Sequence, residues 1–356
     1  MKKVLEIGPD IRRGAGGMAE VIRLLTENRV LGKTYGIEAY PSYTEGPVWK
    51  RFLFEKASLL RFSLMRREYD IYHIHITYRR SAFRKAAYCR RIRKLHPQAV
   101  IVLHMHGGGF MNFYEGLHGK KKELIRQAVE DADCVIAIWE GMKQQLEEQF
   151  RMKRCDVIAN GIETDVYHEV KSKAADHAGT FLFLGRVEQA KGVFDLIRAA
   201  GIACKKNPQI RVLIGGLGAM EEAERCIREA GAEGHVDLLG WLDAEKKKKA
   251  LEESGTLILP SYYEMMPMVI LEAMAAGRAV IATEVGSVPV LVGAENGILT
   301  APGDAEAMAE AMLAFASDRK RMEQTGERNR ERAEKLYSTE RMGEEIRACY
   351  DSLLND

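Results

Sequence analysis

The sequence has few of the features that mark secreted, membrane-spanning or zinc-binding proteins. Six cysteines are scattered through 356 residues with no close pair, so we expect reduced thiols in the cytoplasm and no disulfide framework or cysteine zinc site. No apolar run approaches the length of about 20 residues that a membrane-spanning helix needs. The stretch from Met1 to Gly8 contains Glu6 and is too short in its apolar part for a signal peptide, so we interpret it as a first strand.

Motifs for nucleophilic and metal-dependent hydrolysis are also missing. The sequence has no G-x-S-x-G elbow, no nucleophile motif around a cysteine and no H-E-x-x-H pattern. Two histidine pairs stand near the ends of successive predicted strands, His73 with His75 and His104 with His106, and alternation places the members of each pair on one face. Because no carboxylate accompanies them in a ligand pattern, we expect no metal site.

Length and composition indicate two globular α/β domains. The chain is 46% apolar and 29% charged, and its 356 residues are too many for one ordinary core. Both halves alternate short apolar runs with helical patterns, which is typical of buried parallel strands connected by helices. The predicted strands are 4–7, 70–76, 99–103 and 134–138 in the first half, and 180–184, 210–214, 236–239, 256–259 and 279–282 in the second.

The predicted fold class is therefore α/β, with two doubly wound, Rossmann-like parallel sheets. We place an N-terminal domain at residues 1–168 and a C-terminal domain at residues 169–338. The polar stretch from Glu169 to His177 is the predicted linker. A second crossing between the domains is expected near residues 335–340.

Basic residues are concentrated in the first half. Residues 1–170 carry 29 lysines and arginines against 21 aspartates and glutamates, although the net charge of the whole chain is only +2. The region from Lys50 to Lys94 holds fourteen basic and three acidic residues, with aromatic residues between them. Such a region is either a solvated helical face or a surface that attracts an anionic membrane or a phosphorylated acceptor molecule. No recognised nucleic-acid-binding module is present, so we expect no nucleic acid partner.

Two glutamates, Glu264 and Glu272, follow the predicted strand 256–259 and are separated by seven residues. A helix pattern begins near Pro267, and proline is well tolerated at the first helical position. The free N–H groups of the helix start would then lie between the carboxylates, where they suit a diphosphate, while the carboxylates suit hydroxyl pairs. The alternative is that both are surface charges. We favour a ligand role because open parallel sheets bind ligands at the carboxyl ends of strands.

A second candidate group combines glycine with two cations. Gly185 and Arg186 end the predicted strand 180–184, and Lys191 stands at the start of the next helix. Two cations beside helical N–H donors suit an oxyanion-rich group such as a diphosphate. The alternative is an ordinary strand–helix turn with a surface arginine and lysine.

Two glycine-rich loops also follow predicted strands. One contains Gly216, and the other, at residues 11–17, ends in Gly16 and Gly17. Glycine lets the backbone approach a ligand closely, but tight turns need it as well.

These motifs together resemble glycosyltransferase family four, in particular group 1 glycosyltransferases of the exopolysaccharide type. The similar segments are F-L-G-R and K-G within residues 183–192, L-G-W at 239–241, L-P-S, E and E-A-M-A-A-G within 259–277, and N-G at 296–297. The N-terminal half agrees more loosely, and coverage is close to the whole chain. The resemblance implies a GT-B architecture, in which the two domains face a cleft and a last helix, about 339–356, packs back on the first domain.

The resemblance also implies a retaining, metal-independent hexosyltransferase without a cofactor, in the cytoplasm or on the inner face of the membrane. It would transfer a hexosyl unit from a nucleoside-diphosphate sugar, bound by the C-terminal domain, to a glycan or lipid-linked acceptor on the N-terminal domain, in bacterial cell-surface polysaccharide synthesis. The implied catalytic residues are Glu264, Arg186, Lys191 and His106, and the implied donor-binding residues are Gly16, Gly17, Gly185, Arg186, Lys191, Gly216, Trp241, Leu242, Glu264, Met265, Met266, Pro267, Met268 and Glu272.

Two departures from the family pattern are present. Met265, Met266 and Pro267 stand where the family often has Gly-Phe-Gly, and Val290 stands where it commonly has a glutamate. Two other functions remain open. A nucleotide-sugar 2-epimerase or a phosphorylase would share this architecture, and so would a non-catalytic module that binds nucleotides or polyanions.

Overall fold

The chain forms two compact units in a computed structural model that describes residues 1–12, 16–170 and 173–355. The first unit contains residues 1–161 and the C-terminal helix from Thr339, and the second contains Ile162–Ser338. Each unit is built on a six-stranded sheet in which all neighbouring strands are parallel. The predicted fold class, α/β with two doubly wound parallel sheets, is confirmed.

In the sheet of the first unit, the order of the strands reverses beside the first strand of the chain. Its strands are β1 (Lys2–Pro9), β2 (Tyr35–Tyr43), β3 (Ile71–Ile76), β4 (Val100–Met105), β5 (Cys134–Ala137) and β6 (Cys155–Val157), in the order β2-β1-β3-β4-β5-β6. All six residues of β3 are buried, as expected for a central strand of a parallel sheet. The order reverses between β1 and β3, and such a reversal opens a crevice at the carboxyl ends of the two strands.

Eight helices accompany this sheet in the part of the chain that the structure describes. They are α1 (Gly17–Thr26), α2 (Arg29–Gly32), α3 (Val48–Leu64), α4 (Arg80–Leu95), α5 (Phe110–Glu115), α6 (Gly119–Glu130), α7 (Glu140–Gln149) and, from the end of the chain, α16 (Thr339–Asn355). Near the start of α16, Asn28 Nδ2 donates to the carbonyl oxygen of Thr339 over 2.7 Å. Near its end, Tyr350 donates to Glu6 Oε1 over 3.1 Å. Both ends of α16 are therefore anchored to the first unit.

The sheet of the second unit reverses between β7 and β10. Its strands are β7 (Thr180–Leu184), β8 (Arg211–Gly215), β9 (Val236–Gly240), β10 (Thr256–Leu259), β11 (Ala279–Thr283) and β12 (Ile298–Thr300), in the order β12-β11-β10-β7-β8-β9. The helices are α8 (Thr164–His168), α9 (Val193–Lys206), α10 (Met220–Ala230), α11 (Ala244–Glu252), α12 (Met268–Ala275), α13 (Val288–Leu291), α14 (Ala305–Ser317) and α15 (Arg319–Leu336). Residues such as Phe181, Ile197 and Phe315 belong to a core that packs one face of this sheet against α9, α10 and α14.

The first boundary between the units lies between residues 161 and 162, whereas the sequence placed it between 168 and 169. The reason is that the backbone N–H of Ile162 donates to the carbonyl oxygen of Tyr337 over 2.7 Å, and Ile162 forms a parallel bridge with Ser338. Helix α8 then packs against α12. Within the predicted linker 169–177, Lys171 and Ser172 lie outside the described residues, as do residues 13–15 of the N-terminal glycine loop.

Three strands were absent from the sequence prediction, and all three lie at sheet edges. Strands β6 and β12 have only three residues each, and β2 contains Gly36 and Pro41, which are unusual inside strands. Among the described residues, no helix combines the length and the apolar character that crossing a membrane requires.

Candidate active site

A lysine and a glutamate meet where the strand order of the second unit reverses. Lys191 follows β7 and Glu264 follows β10, and Lys191 Nζ donates to Glu264 Oε1 over 2.6 Å. Ser261 donates its hydroxyl to the same oxygen over 2.7 Å. The Glu264 side chain is only 11% exposed. This ion pair therefore occupies the position where open parallel sheets bind ligands.

Two glycines allow the loops around this ion pair to approach each other. Gly192 has a φ of +66°, and a Cβ there would lie 1.9 Å from the carbonyl oxygen of Pro260. Gly286 has a φ of +53°, and a Cβ there would lie 1.8 Å from the carbonyl oxygen of Glu264. Only glycine combines this backbone conformation with such close contact. The loops after β7, β10 and β11 are packed together for this reason.

The second glutamate of the motif has its own lysine partner. Glu272 lies within α12, and Lys247 Nζ, from α11, donates to its Oε1 over 2.5 Å. The Glu272 side chain is 9% exposed and that of Lys247 is 28% exposed. Both glutamates are buried acids with a cationic partner, so the interpretation of the pair as surface charges is wrong.

The structure does not bring Arg186 to the ion pair. Its side chain is 76% exposed, and its guanidinium lies 3.3 Å from Glu188. The preceding residue, Gly185, has its carbonyl oxygen 1.7 Å from the position that a Cβ on Gly216 would occupy. The glycine in the loop after β8 is therefore required for close packing against the loop after β7.

The remaining sequence candidates of the second unit lie after β9 and before α12. Trp241 is 62% exposed and follows β9 directly. Leu242 is half-buried and packs towards Gly215. An exposed indole at the end of a strand offers a flat apolar surface on which a planar ring can stack.

The stretch from Met265 to Met268 leads into α12. Pro267 is the residue before the helix and Met268 is the first helical residue, so the helix begins one residue later than the sequence predicted. Pro267, at the N-cap position, supplies no side-chain hydrogen bond to this helix start. Its first N–H groups lie beside the loop that carries Glu264 and can donate hydrogen bonds to a bound anion.

Gly16 and Gly17 lie in the first unit, at the start of α1. They line a cavity of about 530 Å³ together with residues that follow β1, β2 and β3. Since the strand order of the first unit reverses between β1 and β3, this cavity is the counterpart of the Lys191–Glu264 position in the second unit.

The four histidines form a stacked group inside the first unit. Ring centroids are 4.6 Å apart for His73 and His75 and 4.2 Å apart for His104 and His106. His106 Nε2 lies 2.8 Å from His75 Nδ1, and His75 Nε2 lies 2.6 Å from Glu6 Oε2. A hydrogen-bonded chain therefore connects buried Glu6 to His106.

A second branch of this network reaches α16. Tyr350 contacts Glu6 as described, and its hydroxyl lies 2.5 Å from His73 Nδ1. His73 Nε2 lies 3.1 Å from His104 Nδ1. Ring nitrogens of His73, His75 and His104 lie within 4.8 Å of one another, which is close enough for a metal ion. We interpret the group as a network that orients His106, because His75 links Glu6 to His106 and His73 links Tyr350 to His104. Among the described residues, the buried Nε2 of His104 has no hydrogen-bond partner.

Burial holds His75, His104 and His106 in the neutral form. Desolvation, together with the neighbouring imidazoles, lowers the pKa of His106 to about 3. The same causes lower the pKa values of His75 and His104 well below 6.5. At neutral pH, His106 can therefore donate or accept a hydrogen bond but does not act as a cation.

Lys247, Ser261, Tyr350 and Glu6 are site residues that were not predicted from the sequence, where Glu6 served only as an argument against a signal peptide. Ser261 stands within the motif that contains Glu264, and Glu6 is an acid inside an otherwise apolar strand, so both had a visible signal. Lys247 is one of four consecutive lysines, and Tyr350 comes from the far end of the chain. Nothing in the sequence distinguishes these two.

Family models match both units. The model described as glycosyl transferases group 1 matches residues 168–332, and the model described as glycosyltransferase family 4 matches residues 23–166. The two matches follow each other along the chain and together leave out only residue 167 and the two ends.

The chain is also similar to curated proteins. It is 28% identical over 253 residues to alpha-maltose-1-phosphate synthase of Mycolicibacterium smegmatis, a match that covers 63% of this chain and 64% of the relative. It is 28% identical over 229 residues to a putative teichuronic acid biosynthesis glycosyltransferase of Bacillus subtilis, covering 61% of this chain and 55% of the relative. The chain thus spans between half and two-thirds of the length of these relatives.

Solved structures show the same fold. Sucrose-phosphate synthase from Thermosynechococcus elongatus matches with a TM-score of 0.81 and 20% identity, over 100% of both chains. The Anabaena protein HepE in complex with UDP and glucose matches with a TM-score of 0.76 and 17% identity, over 99% of this chain and 100% of that one. The architecture is GT-B. The two family matches show that the chain belongs to the group 1 glycosyltransferases of glycosyltransferase family four.

Proposed function

We propose that the protein is a retaining glycosyltransferase that moves a hexosyl unit from a nucleoside-diphosphate sugar to a glycan or lipid-linked acceptor. The observation that carries the proposal is the pairing of Lys191 with buried Glu264 at the strand reversal of the second unit. The Anabaena neighbour in complex with UDP and glucose supports a nucleotide-sugar donor. The teichuronic acid relative supports a role in cell-surface polysaccharide synthesis.

The second unit supplies a group for each part of such a donor. Lys191 and the uncapped start of α12 suit the pyrophosphate. In this proposal, Glu264 binds sugar hydroxyls and Glu272 binds the hydroxyl pair of a ribose. Each carboxylate accepts a hydrogen bond from a lysine, and the lysine can exchange the carboxylate for a phosphate oxygen or for solvent.

In the proposed reaction, the bond between the sugar C1 and the leaving phosphate oxygen breaks, and a bond from C1 to the acceptor oxygen forms on the same face of the ring. The acceptor proton passes to the leaving phosphate. Lys191, Arg186 and the N–H groups of α12 stabilise the charge that develops on the diphosphate, which is commonly the largest contribution in such sites. Neutral His106 would hold a sugar hydroxyl.

Donor turnover tests the function directly. The full chain is incubated with UDP-, GDP- and ADP-sugars, each alone, with a saccharide acceptor, or with inorganic phosphate. A glycosyltransferase forms a glycoside with the acceptor. An epimerase converts the donor without an acceptor, a phosphorylase releases a sugar phosphate when phosphate is supplied, and a binding module gives only thermal stabilisation. At a donor concentration one hundred times Kd, binding adds about 2.7 kcal/mol to the free energy of unfolding.

Transfer is expected to continue without a divalent metal ion. Lys191, Arg186 and the helix N-terminus would supply the positive charge that a metal ion supplies in other transferases. We therefore expect the same initial rate after dialysis against EDTA as before it. Loss of the activity in EDTA, with recovery on addition of Mg²⁺ or Mn²⁺, would contradict this.

Replacing Glu272 with glutamine should raise the KM for the donor by about tenfold to a hundredfold and change kcat little, because a charged hydrogen bond to the ribose is worth roughly 1.5–3 kcal/mol. A donor without the 2′-hydroxyl is the matched control. It should bind the wild type more weakly, but it should lose little further affinity for Glu272→Gln. Equal losses for both donors would remove Glu272 from the ribose site.

We also propose that α3 docks the protein on the anionic inner face of the membrane. Four exposed apolar side chains, Trp49, Leu53, Leu60 and Leu64, have spacings of four, seven and four residues and therefore lie along one side of this helix. Phe62 is buried on the other side. The basic residues of the Lys50–Lys94 region would add attraction to anionic lipids.

Cosedimentation with liposomes tests this surface. Binding should be stronger to anionic than to neutral vesicles, and the double variant Trp49→Asp, Leu53→Asp should lose most of it. Val166→Asp, which changes a similarly exposed apolar residue of the second unit, should bind as the wild type does. Equal binding to neutral and anionic vesicles would count against the proposal.

A further inference from the structure

The cavity of the first unit has a composition that the donor site does not explain. It has a volume of about 530 Å³ and is lined by residues from the loops after β1, β2 and β3 and from the facing sides of α3 and α4. Five basic side chains contribute to its lining: Arg51, Arg79, Arg80, Arg84 and Lys85. Three acidic side chains contribute as well, so the pairing between them decides what charge remains.

One of the three acids, Glu55, is neutralised by arginines of the cavity wall. Glu55 receives a hydrogen bond of 2.6 Å from Arg84 and lies 3.8 Å from Arg80. Asp10 accepts the backbone N–H of Arg12, and Glu45 is exposed. For Arg51 and Arg79, the described residues supply no carboxylate within 4.0 Å.

Both of these arginines stack on aromatic rings instead. Arg51 lies 5.4 Å from the ring centroid of Tyr43, and Arg79 lies 5.5 Å from that of Tyr78. Stacking fixes the position of a guanidinium and leaves its N–H groups free to bind an anion. The cavity therefore keeps two oriented positive charges.

Three buried polar atoms of the cavity wall have no hydrogen-bond partner among the described residues. They are Thr44 Oγ1, Arg51 Nε and Arg84 Nε. Each of them can donate a hydrogen bond, and Thr44 is only 8% exposed. Buried donors without a partner are costly, so an acceptor-rich group in the cavity would satisfy them.

The N-terminus of α4 adds positive charge to the same cavity. Arg79 precedes the helix and Arg80 is its first residue, and no acid stands in the first turn. Cations at a helix N-terminus oppose the helix dipole, and an anion there would relieve the repulsion. Arg79 is also the only non-glycine residue with positive φ in the described chain, at 58°. Such backbone conformations concentrate at ligand-binding sites.

We propose that this cavity binds a phosphate group carried by the acceptor, with Arg51, Arg79 and Thr44 as its donors. The inference rests on the proposed function, since it names the class of acceptor for that transferase. The same chemistry is offered by a soluble sugar phosphate and by a lipid-linked sugar pyrophosphate. The cavity adjoins α3, whose exposed apolar face is the proposed membrane contact.

Direct binding tests the cavity without any turnover. Isothermal titration compares a hexose 1-phosphate with the unphosphorylated hexose on the full chain carrying Lys191→Ala, which weakens the donor phosphate site. The phosphorylated sugar should bind at least about tenfold more tightly, in line with charged hydrogen bonds. This advantage in affinity should disappear in the double variant Arg51→Gln, Arg79→Gln and in the single variant Arg79→Gln. It should persist in Arg61→Gln, Arg90→Gln, which changes exposed arginines of the same two helices.

Equal affinity for the two sugars, or an advantage that survives the loss of Arg51 and Arg79, would overturn the proposal even if the protein proved an active transferase. A positive result would stand even if no donor were turned over, so the two failures are distinguishable. Transfer assays then identify the source of the phosphate. The cavity variants should raise the acceptor KM about tenfold to a hundredfold for whichever phosphorylated acceptor is used, soluble or polyprenyl-pyrophosphate-linked, and should leave the donor KM unchanged.

Discussion

Lys191→Ala is expected to lower kcat by roughly 10²–10³, the usual effect of removing one group that stabilises a developing oxyanion. Lys191 is the cation that the structure holds at the strand reversal, 2.6 Å from Glu264. Arg186, by contrast, is mostly exposed and contacts Glu188, so its alanine variant should lose less. Initial rates at saturating donor and acceptor measure both effects.

The control must separate catalysis from folding, because the variant leaves Glu264 buried with only Ser261 as a partner. Lys206→Ala, at the exposed end of α9, should keep full activity. A double-mutant cycle with Glu264→Gln should show strong non-additivity, since the two side chains are in contact. An unchanged rate for Lys191→Ala at an unchanged melting temperature would remove Lys191 from the site.

The central strands of both sheets were predictable because they are continuous apolar runs. The strands β3, β7, β10 and β11 are almost entirely buried, and each was identified from the sequence. The edge strands β2, β6 and β12 were not, because a short or half-buried strand has no such run. Pairing with a neighbour, rather than local sequence, establishes these three.

The candidate site was predictable where a motif carries it. Glu264, Lys191 and Glu272 were named from spacing and from their position after strands, and the structure brings Lys191 and Glu264 into contact. The pairing of Glu272 with Lys247 joins side chains of two separate helices, α11 and α12, and no local pattern encodes it. Contacts across the sheet can be read from a sequence only when both partners stand in recognisable motifs.

The first unit should lose stability steeply as the pH falls below 6.5. Burial lowers the folded-state pKa of His106 to about 3 and those of His75 and His104 well below the unfolded value of 6.5. Below pH 6.5 the unfolded chain therefore binds protons that the folded unit does not bind. The contribution of these histidines to stability is fully present above pH 6.5 and is lost as the pH falls. Each histidine lowers the free energy of unfolding by about 1.4 kcal/mol per pH unit, so the three together lower it by roughly 4 kcal/mol per pH unit. That is a large share of the 5–15 kcal/mol that is usual for the free energy of unfolding.

Tryptophan fluorescence can follow this unit alone, since Trp49 and Trp139 belong to it and the third tryptophan is removed by Trp241→Phe. Urea unfolding midpoints measured between pH 8 and pH 5 give the slope of stability against pH. His104→Leu should make this slope about a third smaller. The substitution removes one of the three histidines that stay neutral in the folded unit, and it breaks only the contact with His73. His118→Gln, an exposed histidine of the same unit, should leave the slope unchanged. The explanation fails if His104→Leu unfolds with the same pH dependence as its parent, because the loss of stability in acid would then come from groups outside the histidine stack.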